Sequence, residues 1–255
     1  MQFLQTQYIE EYKRKQRYTL QKHFKKLSET KKNQGLPFSF YITTSSIYSS
    51  LIEGSTIDEA TYMQYKEAGI TGNKDFNQVN DLIDAYNYAQ THKLTFNNFL
   101  KTHELLSKNL LEEKYGGKFR DKEAGVYKSF IKIYQACAAK EVSNEMKKLF
   151  TDIDILVEKK LSYNEVFYFA SMLHLSIAQI HPFADGNGRA ARLLEKWFLT
   201  SMLGKDAWLL QSEKMYWKRR PEYYKSINLG SSYSSLDFTD CVDFLIMLPQ
   251  AFRIK

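Results

Sequence analysis

A chain of 255 residues and 30.0 kDa, 44% hydrophobic and 15% aromatic, can bury one sizeable core, which excludes a disordered or low-complexity protein. It contains no run of eighteen or more apolar residues, and MQFLQTQYIEEYKRK lacks the basic-then-apolar order of a signal peptide. No membrane span is therefore expected, and a cytoplasmic location follows by default. The net charge of +7 sits at one end: residues 1–33 hold nine Lys or Arg against three Glu, and the remainder is close to neutral. Such a stripe reads as a solvated helix face, or as a contact for nucleic acid or an acidic partner.

In chain order, Leu20, Phe24 and Leu27 predict a helix over 5–32 that Gly35 and Pro37 break. A second helix is expected over 39–54, with Tyr48, Leu51 and Ile52 as its apolar stripe and Gly54 as the residue just past its end. Thr56 to Glu59 reads as a capping box opening a helix that Gly69 closes. Phe76, Val79, Ile83 and Tyr86 predict a helix over 74–91, and another follows over 95–113. The latter carries His103-Glu104 without the second histidine of a zinc-protease helix, so His103 is expected in the core or bonding between helices. Gly116, Gly117 and the short segments around Lys122-Glu123-Ala124-Gly125 predict the chain's one β-hairpin, over 116–129. An amphipathic helix over 141–160 precedes one over 162–180 that is apolar nearly all round, and therefore central and buried. A helix over 189–203 packs beside it, and 237–252 forms a closing amphipathic helix. His174 shares a face with His181 but has no third ligand nearby, so no metal is expected there. Cys137 and Cys241 have neither disulfide nor metal-ligand spacing and read as buried small hydrophobes.

Between the last two long helices lies HPFADGNGRAAR, His181 to Arg192. Pro182 biases His181 away from helical dihedrals, so the helix ends there and the imidazole projects into a loop. Gly186 and Gly188 allow the strained dihedrals that let consecutive N–H groups converge on one anion. A helix starting at Arg189 would add its N-terminal dipole, and Arg189 and Arg192, three apart, can reach one polyphosphate. Two arginines in a first helical turn oppose the dipole and call for a counter-charge. Asp185, the loop's only carboxylate, suits magnesium held together with substrate phosphates.

At every fixed position these residues match HPFxDGNGRxxR, and on them the chain resembles the Fic family. The resemblance implies an all-α fold, a Fic-type helical bundle with a small β-hairpin flap. It divides the chain into an N-terminal helical region, 1–69, and a catalytic core, 70–255. It implies transfer of AMP from ATP to a Tyr, Ser or Thr hydroxyl of a target protein, with Mg2+ on Asp185 and His181 as the base. Gly186, Asn187, Gly188 and Arg189 would hold the phosphates, Arg192 the γ-phosphate, and Tyr223 and Tyr224 would lie near the adenine. Where relatives often have Asn, this chain has Ser231, which leaves that adenine contact open. Ser49, Glu53 and Gly54 resemble the family's inhibitory SxxxEG motif, in which the glutamate pairs with the second arginine, here Arg192. The hairpin resembles the family's flap, whose residues Val126, Tyr127 and Lys128 would pair with the target segment. The target's identity, the direction of the reaction, self-modification and a homo-oligomer stay open. Two alternatives also stand: a Fic-fold enzyme that moves another phosphate-containing group or removes AMP, and a non-catalytic nucleic-acid binder using the basic N-terminal helix.

Overall fold

The computed structural model describes residues 1–128 and 130–254, with side-chain detail outside 31–33 and 128. The centre is α8 (Tyr163–Ile180), buried on almost every side as its all-round apolar sequence demands. Its start is fixed by a capping box: the Glu165 carboxylate accepts the Ser162 N–H at 2.8 Å, and Ser162 Oγ accepts the Glu165 N–H at 3.4 Å. Against it lies α9 (Asn187–Leu203), the most extensive helix contact in the molecule. Around this pair the chain wraps α1 (Ile9–Lys15), α2 (Leu20–Asn33), α3 (Phe38–Ile52), α4 (Glu59–Glu67), α5 (Lys74–Thr91), α6 (Phe96–Leu106) and α7 (Ala139–Val157). Short helices α10 (Ser212–Lys218), α11 (Arg220–Ser226) and α12 (Cys241–Leu245) close the far side. The expected all-α architecture with one hairpin is what the chain adopts, and its main apolar core runs without a break from Leu4 and Tyr12 through Phe167 and Leu193 to Leu248.

Several boundaries differ from expectation for local reasons. The helix expected over 5–32 is two helices. Gln16 leaves helical dihedrals (ψ 134°), its side-chain oxygen accepts the Tyr18 N–H at 2.8 Å, and its amide donates to Asn164 at 2.7 Å. Tyr12, Leu20 and Phe24 nonetheless face the core, and the lysines stay outside, some paired with neighbouring carboxylates, as in Lys13–Glu10 and Lys15–Glu11. Asp58, not Thr56, caps α4, accepting the Thr61 N–H at 2.8 Å, because Thr56 is engaged through both N–H and hydroxyl by Asp75. Gly54 ends α3 as expected: at φ 95° it lets its own N–H reach Leu51 O and the Ser55 N–H reach Ser50 O. Helix α6 stops at Leu106, short of 113. The closing helix is a short α12 followed by a 3-10 segment carrying Pro249.

The hairpin lies further along than expected, as β1 (Gly125–Lys128) antiparallel to β2 (Ile131–Gln135), with Val126 opposite Tyr134 and a bulge between Val126 and Tyr127. Ser129, where the expected hairpin ended, lies outside the described residues. Before β1, Arg120 anchors the chain to the end of α8, through bonds given below, and Ala124 O accepts the Ala136 N–H at 3.0 Å. Among the described residues no helix is long and apolar enough to cross a membrane.

One carboxylate holds the N-terminal segment down. Asp152 on α7, fully buried, accepts the N–H groups of Gln2, Phe3 and Leu4 at 2.8 Å each. Removing it leaves three N–H groups without acceptors, so Asp152→Ala should cost about 2 to 3 kcal/mol in urea denaturation. A loss below about 0.5 kcal/mol would show the segment to be held by its apolar contacts alone.

Candidate active site

His181 ends α8 in the left-handed region, at φ 53° and ψ 59°, the one non-glycine residue with positive φ among the described residues. Such a conformation costs on the order of 1–3 kcal/mol and persists only if its surroundings enforce it. Here Arg120 does so: its Nε donates to His181 O at 2.8 Å, its N–H to Pro182 O at 3.0 Å, and its Nη atoms to the carbonyls of Lys122, Ile180 and Cys137. Burial lowers the His181 pKa below its ordinary 6.5, the Ala178 backbone opposes it, and the Arg120 charge adds to the lowering, so the ring is neutral near pH 7. A neutral imidazole at a loop is equipped to accept a proton.

The loop after His181 is braced from both sides. Asn187 accepts the Phe183 N–H at 2.8 Å and returns its amide to Phe183 O at 2.9 Å, so this side chain is structural. His103, fully buried and stacked on Phe183 at 3.5 Å, bonds Asp185 O through Nε2 at 2.9 Å and accepts the Gly117 N–H on Nδ1 at 3.1 Å. Those partners fix its tautomer, and burial pushes its pKa down to about 4. The expectation of a core histidine holds, and its partner turns out to be the loop itself. Gly186, at φ 79°, caps α9, which begins at Asn187, two residues earlier than expected. The N–H groups of Asn187, Gly188 and Arg189 precede the first intrahelical bond, Ala190 N–H to Gly186 O, and so remain available to an anion. Gly188 has no left-handed backbone, contrary to expectation. It is glycine for another reason, since a Cβ there would collide with the Glu53 carboxylate.

Arg192 is fully buried on the second turn of α9. Its Nη2 donates to Glu53 Oε1 at 2.7 Å and to Ser49 O at 3.0 Å, its Nε to Ser49 Oγ at 2.9 Å, and its Nη1 to Tyr223 OH at 3.3 Å. The counter-charge that the two arginines called for is thus Glu53, brought over by α3. Burial pushes the Glu53 carboxyl up, and the Arg192 charge and hydrogen bond, with Arg189 and His181 behind them, outweigh it and hold it below its ordinary value. The pair is therefore intact above about pH 4.5 and lost as the pH falls through that lowered value. Arg189, also buried, donates one bond, Nη2 to Gln78 Oε1 at 3.1 Å, and leaves Nε without a partner. A cleft of about 250 Å³ opens here, lined by Glu53, Lys74, Gln78, Asp185, Gly186 and Arg189. Asp185 is exposed, with one oxygen accepting the Gly186 N–H at 2.6 Å and the other open. No cluster of three or more acidic, His or Cys groups accompanies it among the described residues. One carboxylate beside an anion cradle fits a hard divalent cation that takes its remaining ligands from phosphate and water.

The tyrosine pair does not present as two rings. Tyr223 is buried among Tyr216, His174 and Phe244 with its hydroxyl on Arg192 and His174, and only Tyr224 is exposed, its hydroxyl bonding Ile52 O at 2.9 Å. Ser231 accepts the Gln135 N–H at 2.9 Å through its carbonyl, at the edge of the hairpin. Val126 and Tyr127 lie on β1, whose outer edge has no strand partner among the described residues, and Lys128 pairs with Ile131. His174 bonds Glu195 through Nδ1 and Tyr223 through Nε2, and both cysteines are buried and free. Arg120 and Gln78 went unread in the sequence, where a lone Arg and a lone Gln carry no periodic signal.

Residues 93–199 match the model of the Fic/DOC family. A search of curated proteins finds no sequence match. Among solved structures, a Fic family protein from Desulfovibrio desulfuricans aligns over 99% of this chain and 75% of its own, at TM-score 0.75 and 21% identity. A Fic domain containing signaling protein from Bacteroides thetaiotaomicron aligns over 92% of both chains, at TM-score 0.65 and 18% identity. An IbpA Fic variant in complex with adenylylated Cdc42 aligns over 92% of this chain and 69% of its own, at TM-score 0.51 and 16% identity. At such identities these likenesses speak to the fold.

Replacing Arg120 by Met leaves several buried carbonyls unpaired and His181 unsupported. Arg120→Met should lose about 3 kcal/mol or more in urea denaturation. A loss under about 1 kcal/mol would mean that the left-handed histidine is enforced by something else.

Proposed function

We propose that the chain, whose residues 93–199 match the model of the Fic/DOC family, is a protein adenylyltransferase, moving AMP from ATP to a hydroxyl of a target protein and restrained by its own Glu53. The observation that carries this reading is the ion pair at 2.7 Å between Glu53 and Arg192, in a cradle whose other members are free N–H groups and a half-satisfied arginine. A polyphosphate is the ligand that would use all of them at once. In this reading the N–H groups of Asn187 and Gly188 with Arg189 hold the inner phosphates, and Arg192 holds the terminal one. Asp185 would hold Mg2+, which when bound offsets phosphate charge. Neutral His181 takes the proton of the target hydroxyl as its oxygen attacks the α-phosphorus, and the bond to the departing pyrophosphate breaks. The solved neighbour holding adenylylated Cdc42 supports a protein substrate. The free edge of β1, at Val126, Tyr127 and Lys128, is the surface that a target segment would extend by strand addition. The chain's own hydroxyls are substrates in the same sense, which makes self-modification the simplest assay.

Glu53 acts by occupation. While it holds Arg192, that guanidinium cannot orient a terminal phosphate. Removing the carboxylate frees a buried cation, a change worth about 3 kcal/mol, the lower end for such pairs because the Glu53 side chain keeps 33% of its surface exposed. Glu53→Gly should therefore raise labelling from radiolabelled Mg-ATP about a hundredfold, and unchanged labelling would remove the restraint while leaving the chemistry standing. In that background His181→Ala should lose at least about a hundredfold, the usual size of a general-base contribution. More than about a tenth of the activity surviving would dismiss His181 as the base. The rate should hold level above pH 6.5 and fall at more acidic pH, where the ring takes up a proton. Loss of Glu53 removes an influence that raises the ring's pKa, so the acid limb lies below 6.5 in the released form as well.

A further inference from the structure

From Arg192 a chain of buried polar groups runs through the core. Tyr223 OH lies 3.3 Å from Arg192 Nη1 and 3.0 Å from His174 Nε2; His174 Nδ1 lies 2.8 Å from Glu195 Oε2, which also accepts the Tyr216 hydroxyl at 2.7 Å. Glu195 and His174 have no solvent exposure, and Glu195 Oε1 has no partner. Burying so many polar groups in the middle of a bundle is costly unless each is hydrogen-bonded, and here only Glu195 Oε1 is not.

The hydrogens in this chain have one consistent arrangement. A guanidinium only donates, so Tyr223 oxygen accepts from Arg192 and its own hydrogen goes to His174 Nε2. His174 then carries its hydrogen on Nδ1 and gives it to Glu195. The polarity thus runs in one direction, from the cation at Arg192 to the carboxylate at Glu195, with every link leaning toward the charge. The two charged ends sit three residues apart on α9, on the same helix that forms the cradle.

We propose that Tyr223, His174 and Glu195 are positioning residues for Arg192: they hold its guanidinium in place for the terminal phosphate of a nucleoside triphosphate once Glu53 has left. This rests on the reading of Arg192 as a phosphate ligand. While Glu53 is seated, Arg192 has a direct carboxylate partner and the relay is redundant. After Glu53 leaves, Ser49 and Tyr223 remain, and Tyr223 alone connects the guanidinium to a buried negative charge that cannot move away. The relay grips Nη1, so the Nη2 hydrogen that Glu53 had taken is left for a phosphate while the other stays on Ser49 O.

The test uses the whole chain carrying Glu53→Gly, titrated calorimetrically with Mg-ATP and, separately, with AMP, which lacks the phosphate that Arg192 would touch. Arg192→Ala is the control for the parent reading and should weaken ATP relative to AMP. If it does not, Arg192 is no phosphate ligand and both ideas fall. Tyr223→Phe keeps the ring and removes one oxygen; it should weaken ATP about tenfold and leave AMP unchanged, the size expected for one charge-assisted hydrogen bond. Glu195→Gln, which keeps the shape and removes the charge, should act in the same direction, so the test survives if one variant fails to fold. If Arg192→Ala discriminates ATP from AMP while Tyr223→Phe and Glu195→Gln change neither ligand, or weaken both equally, the relay is packing only and the proposal is overturned.

Discussion

A guanidinium without solvent exposure must be given a negative partner, and much of this molecule is arranged around giving one to Arg192. The partner comes from another part of the chain: α3 lies across α9 and delivers Ser49 and Glu53 to it. One turn further along α9, Lys196, fully buried, donates to Ser45 of α3 at 2.7 Å and takes its carboxylate, Glu213 at 2.5 Å, from α10. Ser45, Ser49 and Glu53 follow each other at intervals of four on one face of α3, and Arg192 and Lys196 do so on α9. The two faces meet as a ladder of polar groups where helix pairs ordinarily bury aliphatic side chains. A contact of this kind holds the helix in register and is weaker than an apolar one of equal size, because each group it buries gives up water.

The ladder also explains where sequence reading stopped. Period-four serines in SSIYSS give almost no amphipathic signal, so the expected contact face was the apolar stripe of Tyr48, Leu51 and Ile52; Tyr48 and Ile52 are buried and Leu51 half-buried, and the serines form a second buried face that the pattern did not announce. Long elements with strong periodicity, such as α5 and the apolar α8, were legible to within a few residues. The ends of α6 and the hairpin were displaced because side chains distant in sequence, His103 and Arg120, hold the intervening stretch. The pairing of Glu53 with Arg192 came from resemblance to a family motif. Composition points only to the need for a counter-charge near two first-turn arginines. Gly188 is instructive in the same way: a glycine between Asn187 and Arg189 reads as a turn residue, and its actual reason, clearance for Glu53, depends on a helix more than a hundred residues earlier.

Rigidity elsewhere complements the removable pair. The loop after α8 is pinned at His181 by Arg120, at Asp185 by His103, and at Phe183 by both Asn187 and the stacked His103 ring. None of those bonds involves the Glu53 carboxylate, so the cradle is preformed whether or not that carboxylate is seated on Arg192. Such preorganisation is what electrostatic stabilisation of a phosphoryl-transfer transition state requires.

In the proposed reading Glu53 acts only through Arg192. The most direct measurement is a double-mutant cycle on the rate of AMP transfer, comparing the unaltered chain, Glu53→Gly, Arg192→Ala and the double variant. The account predicts that removing Glu53 accelerates transfer strongly when Arg192 is present and has almost no effect when it is absent. Equal acceleration in both backgrounds would contradict it, because the glutamate would then be restraining something other than the arginine it touches.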